Sequence, residues 1–587
     1  MPGEVGCILE TEMNFCVSMI GVLAMASRLA SAGSVWHVSA GATSGGDGTS
    51  WGSAFRDVQS GIDASDAGDE VWVRQGTYQP SIPVAGSESA GILLRDGVAI
   101  YGGFDGSETL RGQRESAVHL TTLSGASISV LHVIEAQGVG PGSVVDGFII
   151  RDGYGGDGGF AGLGGAGGGM YLLDSSPTVV DCTIRNNVAR IGSGVYVQDG
   201  SPMFDGCRFI SNISARSGEG GGIYATVSQG MPGQALSVYD SEFSFNSVDQ
   251  GHWATGNGGG IYSSDRVVLT VIGTSFTSNS GWHNGTFGNA VVGGAIAALG
   301  DGAYIENCSF VNGYTNIGGG IYSAGDIEIV QSVFSGNRAV SAGTCGGFDC
   351  PSDVPDIASG FGGAIFVNGF ATAMIDQCTI VDNRSDKSGA GVVAGLGLIR
   401  NSVLWGNWSP QPCCGEDPLP ESRMQNEGAD VEYSCMQGLL TGVPGEDPPN
   451  PNGFPGSHED NPMFVDAAAG NYRLQTGSPA IDSASNALVQ AGVMSDFDGL
   501  NRFVDDPNTP DTGPNLSPVV DMGAFEFQVE FVCTADLTGD GLLDFFDISA
   551  FLSAFAAGDA VADFSGDGVF DFFDISSFLT EFGDGCM

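Results

Sequence analysis

The 587-residue length is enough for about four ordinary domains, but 96 glycines, 42% hydrophobic and only 15% charged residues exclude both a disordered chain and a helical bundle. No Gly-X-Y period runs through it, which excludes collagen. Sixty-eight acidic against 19 basic residues give a formal net charge of −49, which argues against a nucleic-acid partner and suits divalent cations.

Residues 1–32 read as an export signal. Phe15 to Ala26 is an apolar run, followed by the small-x-small pattern Ala30-Ser31-Ala32. Glu4, Glu10 and Glu12 precede the run with no Lys or Arg, and a start at Met13 would give a more ordinary signal. No later stretch has the 18 or so apolar residues of a membrane span. The expectation is a secreted, extracellular protein, attached to a cell surface or free.

After the signal, Val35-Trp36-His37-Val38 is strand-like, and Ala54, Phe55, Val58 and Ile62 fall at helical spacing, which predicts a short capping helix over Ser53 to Ala64. Asp69 to Val73 and Val98 to Gly103 read as the first strands. Then a repeat sets in. Gly167-Gly168-Gly169-Met170-Tyr171 recurs at Gly192, Gly220, Gly258, Gly293, Gly318, Gly362 and Gly389 with small variations. A second block trails each cluster, as in Asp181-Cys182-Thr183-Ile184-Arg185-Asn186-Asn187 and Gly206-Cys207-Arg208-Phe209-Ile210-Ser211-Asn212. The unit is near 25 residues, carries two or three short strands and has no helical period.

Such units stack as coils of a parallel β-helix, with equivalent residues about 4.8 Å apart. Cys182, Cys207, Ser241, Thr274, Cys308, Ser332, Cys378 and Ser402 should form an interior column of small groups, so these cysteines read as free core thiols. The asparagines ending each block should sit in left-handed turns and bond along their column, with Gly313 meeting the same backbone demand. Disulfides are expected outside the strands: Cys345 with Cys350, Cys413 or Cys414 with Cys435, and Cys533 with Cys586.

The order of blocks over about residues 35–430 resembles the right-handed β-helix superfamily that includes pectate lyases and bacterial surface proteins. The expected fold is all-β, a right-handed parallel β-helix with an N-terminal capping helix over 33–430. From Val431 the repeat fades. Residues 431–530, with Gly477-Ser478-Pro479-Ala480-Ile481-Asp482 and Asp521 to Phe527, resemble the C-terminal segment of such surface proteins and should close the lower end.

The tail, 531–587, carries the most specific motif. Asp536, Thr538, Asp540, Asp544 and Asp547 place oxygen donors at loop positions 1, 3, 5, 9 and 12, with Gly541 at 6 and the Leu542 carbonyl at 7. Asp563, Ser565, Asp567, Val569, Asp571 and Asp574 repeat the pattern around Gly568. A hard Ca²⁺ ion takes six to eight oxygens arranged this way. Each loop leads into an apolar helix, Ile548, Phe551, Leu552, Phe555 and then Ile575, Phe578, Leu579, Phe582. The doubled loop-helix unit resembles a dockerin of the GC type, which implies a small α-helical module, two calcium ions and a cohesin-like or other surface anchor as partner. Phe545-Phe546 and Phe572-Phe573 stand where cellulosomal dockerins carry small polar recognition residues.

No lyase or hydrolase motif is recognisable, and the scattered histidines His37, His119, His132, His252, His283 and His458 read as structural one by one. The segments after Asn246, Asn279 and Asn337 are long, and stacking should bring them out along one edge. They carry His252, Trp253, Trp282 and His283, whose rings could stack on sugars. The expected function is a β-helical surface protein binding a carbohydrate or surface ligand through these loops. The alternative is a polysaccharide lyase or glycoside hydrolase on the same scaffold.

Overall fold

The computed structural model describes residues 33–80, 91–126, 130–155, 165–248, 256–281, 290–341, 360–409, 425–439, 454–514, 517–528, 534–539 and 542–584. Among these, three parallel sheets of 22, 12 and 7 strands account for the repeat region. The chain passes from one to the next and returns one coil further on, so it is a parallel β-helix.

Register follows the repeat. Met170, Val195, Ile223, Ile261, Ile296, Ile321, Ile365 and Val392 pair in one vertical row of the large sheet, all buried. Ile184, Phe209, Phe243, Phe276, Phe310, Phe334, Ile380 and Leu404 form the facing row of the 12-stranded sheet. Its five phenylalanines stack at centroid spacings of 4.3 to 4.9 Å, nearly parallel. The alternation of one buried and one outward residue is what a strand period of two requires.

The turns between sheets explain the polar letters. The small column is interior as expected, and its hydroxyls bond along it: Cys207 N donates to Ser241 Oγ at 3.0 Å, Cys308 N to Ser332 Oγ at 3.1 Å and Cys378 N to Ser402 Oγ at 3.0 Å. The asparagine column is fully interior too, but it is not where the left-handed backbone lies. That backbone falls one place earlier, at Asn186, Ser211, Phe245, Ser278, Asn312 and Asp382, with φ between 53° and 56°. The ladder asparagine instead turns its amide inward to satisfy turn carbonyls and the next amide. Gly313 also has no left-handed φ. It is glycine because a Cβ there would stand 2.2 Å from the Gly319 carbonyl oxygen.

At the N-terminus the helix α1 spans Val58–Ala64, five residues shorter than the spacing predicts. Asp57 caps it, accepting from Ser60 N at 2.8 Å. Ala54 and Phe55 are drawn off as a β-bridge, Phe55 pairing with Val38 and stacking on Trp36. Val58 and Ile62 bury against the first coil.

Residues 454–460 continue the last coil, with Phe454 against the core and a bridge between Cys435 and His458. Beyond them the chain does not stay at the lower end. It folds back up the outer face of the 12-stranded sheet, where Ala480, Ile481, Val520, Met522 and Ala524 bury Val333, Val381 and Val403. Ala524 N donates to Thr379 Oγ1 at 2.9 Å, Ser485 N to Asn401 Oδ1 at 2.9 Å and Gln490 Nε2 to Glu328 Oε1 at 2.8 Å. Arg502, fully buried, braces this flank by donating to the carbonyls of Asp521 and Gly523.

Cys182, Cys207, Cys308 and Cys378 are free and buried. So is Cys435, which corrects its expected pairing with Cys413 or Cys414: its thiol donates to the Asp460 carbonyl at 3.1 Å. Cys345, Cys350, Cys413, Cys414, Cys533 and Cys586 lie outside the described residues. So do the expected export signal and its cleavage pattern.

Candidate functional site

The seven-stranded sheet is the edge from which the long segments depart. Ser247, Ser280, Tyr314, Arg338 and Arg384 stack in register before them, and Asn257, Val292, Ile317 and Phe361 bridge in register after them. The roots of 249–255, 282–289 and 342–359 therefore share one edge. The same holds for 156–164, between Tyr154 and Ala166, and for 410–424, which follows Trp408; both extend the set named from sequence. His252, Trp253, Trp282 and His283 lie outside the described residues.

The described part of this edge carries a stripe that sequence reading missed. Tyr314 pairs with Arg338, Arg338 with Arg384, and Arg384 bridges to Trp408. The Arg384 guanidinium lies 4.5 Å over the Trp408 ring, and that of Arg338 5.8 Å over Tyr314. Beside them Lys387, the chain's one lysine, sits 5.0 Å over Phe361. Three of the 19 basic residues thus meet aromatic faces on one edge of a strongly acidic protein. Trp408 remains 47% exposed. The Nε atoms of Arg338 and Arg384 are buried without hydrogen-bond partners. Stacking leaves each guanidinium charged, and a guanidinium can fork onto a carboxylate; Nη2 of Arg338 already faces Asp386 Oδ1 at 3.9 Å. A signal existed: Tyr314, Arg338, Arg384 and Trp408 each follow directly the residue of the asparagine column.

In the tail, helix α2 covers Phe545–Ala557 and helix α3 Phe572–Asp584. Phe551 and Phe578 stack at 4.1 Å in the small core between them. Each loop is closed by its twelfth residue. Asp547, fully buried, accepts from Thr538 N at 3.0 Å, Thr538 Oγ1 at 2.9 Å and Asp544 N at 2.9 Å. Asp574 repeats this with Ser565 N at 2.9 Å and Asp571 N at 2.8 Å. These backbone donors hold both carboxyls below their ordinary pKa. Position 12 thus reaches across to positions 3 and 9 in both loops, and every side-chain donor is a hard oxygen, so the residues present fit Ca²⁺. Asp540 lies outside the described residues; Leu542 and Val569, whose carbonyls were named as ligands, have exposed side chains. Phe545, Phe546, Phe572 and Phe573 are 64–74% exposed, two aromatic pairs repeated by the module's internal symmetry.

Other polar groups serve the scaffold. Burial lowers the pKa of His37, His132 and His458. His37 packs edge-on to Trp51 and Trp72, and His132 stacks on Tyr171. A polar recess of about 200 Å³ near the N-terminus is lined by Asp105, Glu108, Glu115 and His119. Its deepest acid, Glu108, is taken up by the backbone N–H groups of Asp105, Gly106 and Ser107.

No family model and no curated protein matches the chain. Among solved structures the chain is similar to pectate lyase Pel9A, at 13% identity over 84% of this chain and 96% of that one, with a TM-score of 0.40. The class, defined by the three stacked parallel sheets themselves, is the parallel β-helix. No helix among the described residues is long and apolar enough to cross a membrane.

Proposed function

We propose that this is an extracellular display protein, whose β-helix binds a carbohydrate along the loop-bearing edge and whose tail tethers it through a calcium-dependent docking module. The observation that carries the reading is the Tyr314–Arg338–Arg384–Trp408 stripe. Its coil spacing of about 4.8 Å is close to one sugar ring per coil, its aromatics offer stacking faces, and its guanidiniums offer bidentate pairing to acidic substituents. The neighbouring loops, including those that carry Trp253 and Trp282, would extend the same surface. In the tail, Asp536, Thr538, Asp540, Asp544 and Asp547, with the Leu542 carbonyl, would hold one calcium ion. Asp563, Ser565, Asp567, Asp571 and Asp574, with the Val569 carbonyl, would hold the second. Calcium supplies the charge that lets these carboxylates converge, which orders the helices so that the two exposed phenylalanine pairs can dock on a cohesin-like or other surface anchor.

The test is affinity electrophoresis and calorimetry of the full chain against acidic and neutral polysaccharides, with unsaturated products and reducing ends followed in parallel. The expected result is retention by an acidic polysaccharide that is recovered uncut, weakened at least tenfold by Trp408→Ala or Arg384→Ala. Binding unchanged by both substitutions, or polysaccharide cleavage, would overturn the reading.

A further inference from the structure

The flank that folds back over the 12-stranded sheet contains a cluster that neither the coils nor the tail uses. Asp482 ends the run Gly477-Ser478-Pro479-Ala480-Ile481, fully buried and with a left-handed φ of 51°. It organises the loop that lies over it. Asp482 O accepts from Thr512 N at 2.9 Å, and Oδ2 accepts from Asp506 N at 3.2 Å. Its own N–H donates to Asp521 Oδ1 at 2.8 Å. Only Oδ1 is left, and that atom is buried without a hydrogen-bond partner.

The carboxylates of Asp505 and Asp511 come down onto the same place. One oxygen from each of Asp482, Asp505 and Asp511 lies within 4.8 Å of the others. The charged groups facing Asp482 are Asp505, Asp506, Asp511 and Asp521, all of one sign. Asp506 turns its own carboxylate to Asn508 N and Thr509 Oγ1, so it is committed to shaping the loop. Three carboxylates this close repel one another unless a cation or protons intervene. A buried acidic oxygen with no donor is what an absent cation leaves behind.

We propose that Asp482, Asp505 and Asp511 hold a divalent cation that pins the 505–513 loop to the flank, and that the ion is Ca²⁺. All three donors are hard oxygens, with no imidazole or thiolate to select zinc or copper. Oxygens that lie within 4.8 Å of one another can all reach a single calcium ion at Ca–O distances near about 2.4 Å. Calcium accepts the irregular, part-hydrated shell that one buried and two exposed carboxylates provide, whereas Mg²⁺ demands a near-ideal octahedron. Asp505 and Asp511 are exposed, leaving an open side where water can complete the shell.

The site is separate from the tail, and the experiment keeps the two apart. The full chain is prepared with both tail loops silenced by Asp536→Asn, Asp547→Asn, Asp563→Asn and Asp574→Asn, freed of metal with a chelator, and titrated with CaCl₂ by calorimetry and equilibrium dialysis. One ion per chain is expected to remain, with Ca²⁺ slowing proteolysis within 505–513. Asp505→Asn with Asp511→Asn, both on the surface and so compatible with folding, should weaken that binding at least tenfold and remove the protection. The proposal is overturned if the silenced chain binds no calcium, or if its remaining ion is indifferent to the Asp505/Asp511 substitutions. Failure of the tail reading looks different: the unsilenced chain would then bind a single ion, lost on changing Asp505 and Asp511.

Discussion

Asn187 donates its side-chain amide to Oδ1 of Asn212 at 3.0 Å, although 25 residues of chain separate the two. Asn212 passes the same bond to Asn246 and Asn246 to Asn279, each at 3.0 Å. At Gly313 only a backbone version survives, its N–H donating to Asn337 Oδ1, and the ladder resumes from Asn337 through Asn383 and Asn407. Asn212 also donates to the Ile184 carbonyl. Asn212→Ala would take away the acceptor of the Asn187 backbone N–H and the donor to the Ile184 carbonyl in a buried turn, while the Asn187 side-chain amide keeps the Ile150 carbonyl. Each orphaned group costs about 1–3 kcal/mol, so a loss of about 3–5 kcal/mol is expected in denaturant unfolding. Gly313→Ala should also destabilise, by about 2 kcal/mol or more, because its Cβ would collide with the Gly319 carbonyl. A neutral Gly313→Ala would contradict the tight turn.

The free thiols should be inert. Burial pushes Cys207 and Cys308 up to about 12 and raises Cys182, Cys378 and Cys435 as well. The thiolate is the reactive species. Alkylation of the native protein at pH 8, read by peptide mass spectrometry, should leave all five unmodified, and labelling should appear only on unfolding. Rapid native labelling of Cys207 would place it outside the core.

Asp376 makes a pH-dependent contribution of defined sign. Burial raises its pKa from 3.8 to about 6, against the opposing pull of Arg400 at 3.1 Å. A raised carboxyl favours folding while protonated, so its stabilising contribution is full below about pH 4 and is lost as pH rises through 6. The interval corresponds to about 3 kcal/mol. The stability difference between Asp376→Asn and the parent should therefore shift in favour of Asn by about 2–3 kcal/mol between pH 4 and pH 7. A difference flat with pH would contradict this.

Much of this was legible in the letters, for identifiable reasons. Coils stack in register, so the glycine cluster, the Cys/Ser/Thr column and the phenylalanine row repeat in the chain as they do in space. The left-handed position was misplaced by one residue because it admits almost anything, including Phe245 at φ 56°. An Asp or Asn in one coil instead leans over a glycine of the next, as Asp181 does over Gly206 and Asp382 over Gly406. The stripe was hidden because Tyr314, Arg338, Arg384 and Trp408 share a column without sharing chemistry with Val188 and Ile213 above them. The fold-back of 461–528 has no repeat to announce it; only packing against Val333, Val381 and Val403 reveals it.

Removing calcium should unfold the tail and leave the coils intact. The helices α2 and α3 share a core built around one stacked pair, Phe551 and Phe578, too small to hold without the loops. In chelator the helical signal near 222 nm should fall while the β-helix spectrum and its unfolding midpoint stay within the shift expected from the flank site. Asp547→Asn with Asp574→Asn should mimic chelation. A tail spectrum indifferent to both treatments would contradict the calcium reading.

The most direct test concerns the stacking that creates the edge. Arg338 and Arg384 are 46 residues apart in sequence and directly paired across coils. With both replaced by cysteine, a short thiol-to-thiol crosslinker should join the two positions quantitatively in the native protein, identified as a linked peptide by mass spectrometry. A control pair, Ile213→Cys with Arg384→Cys, five coils apart, should not join. Failure of the first pair to crosslink, or equal crosslinking of both, would contradict the vertical register on which the binding edge depends.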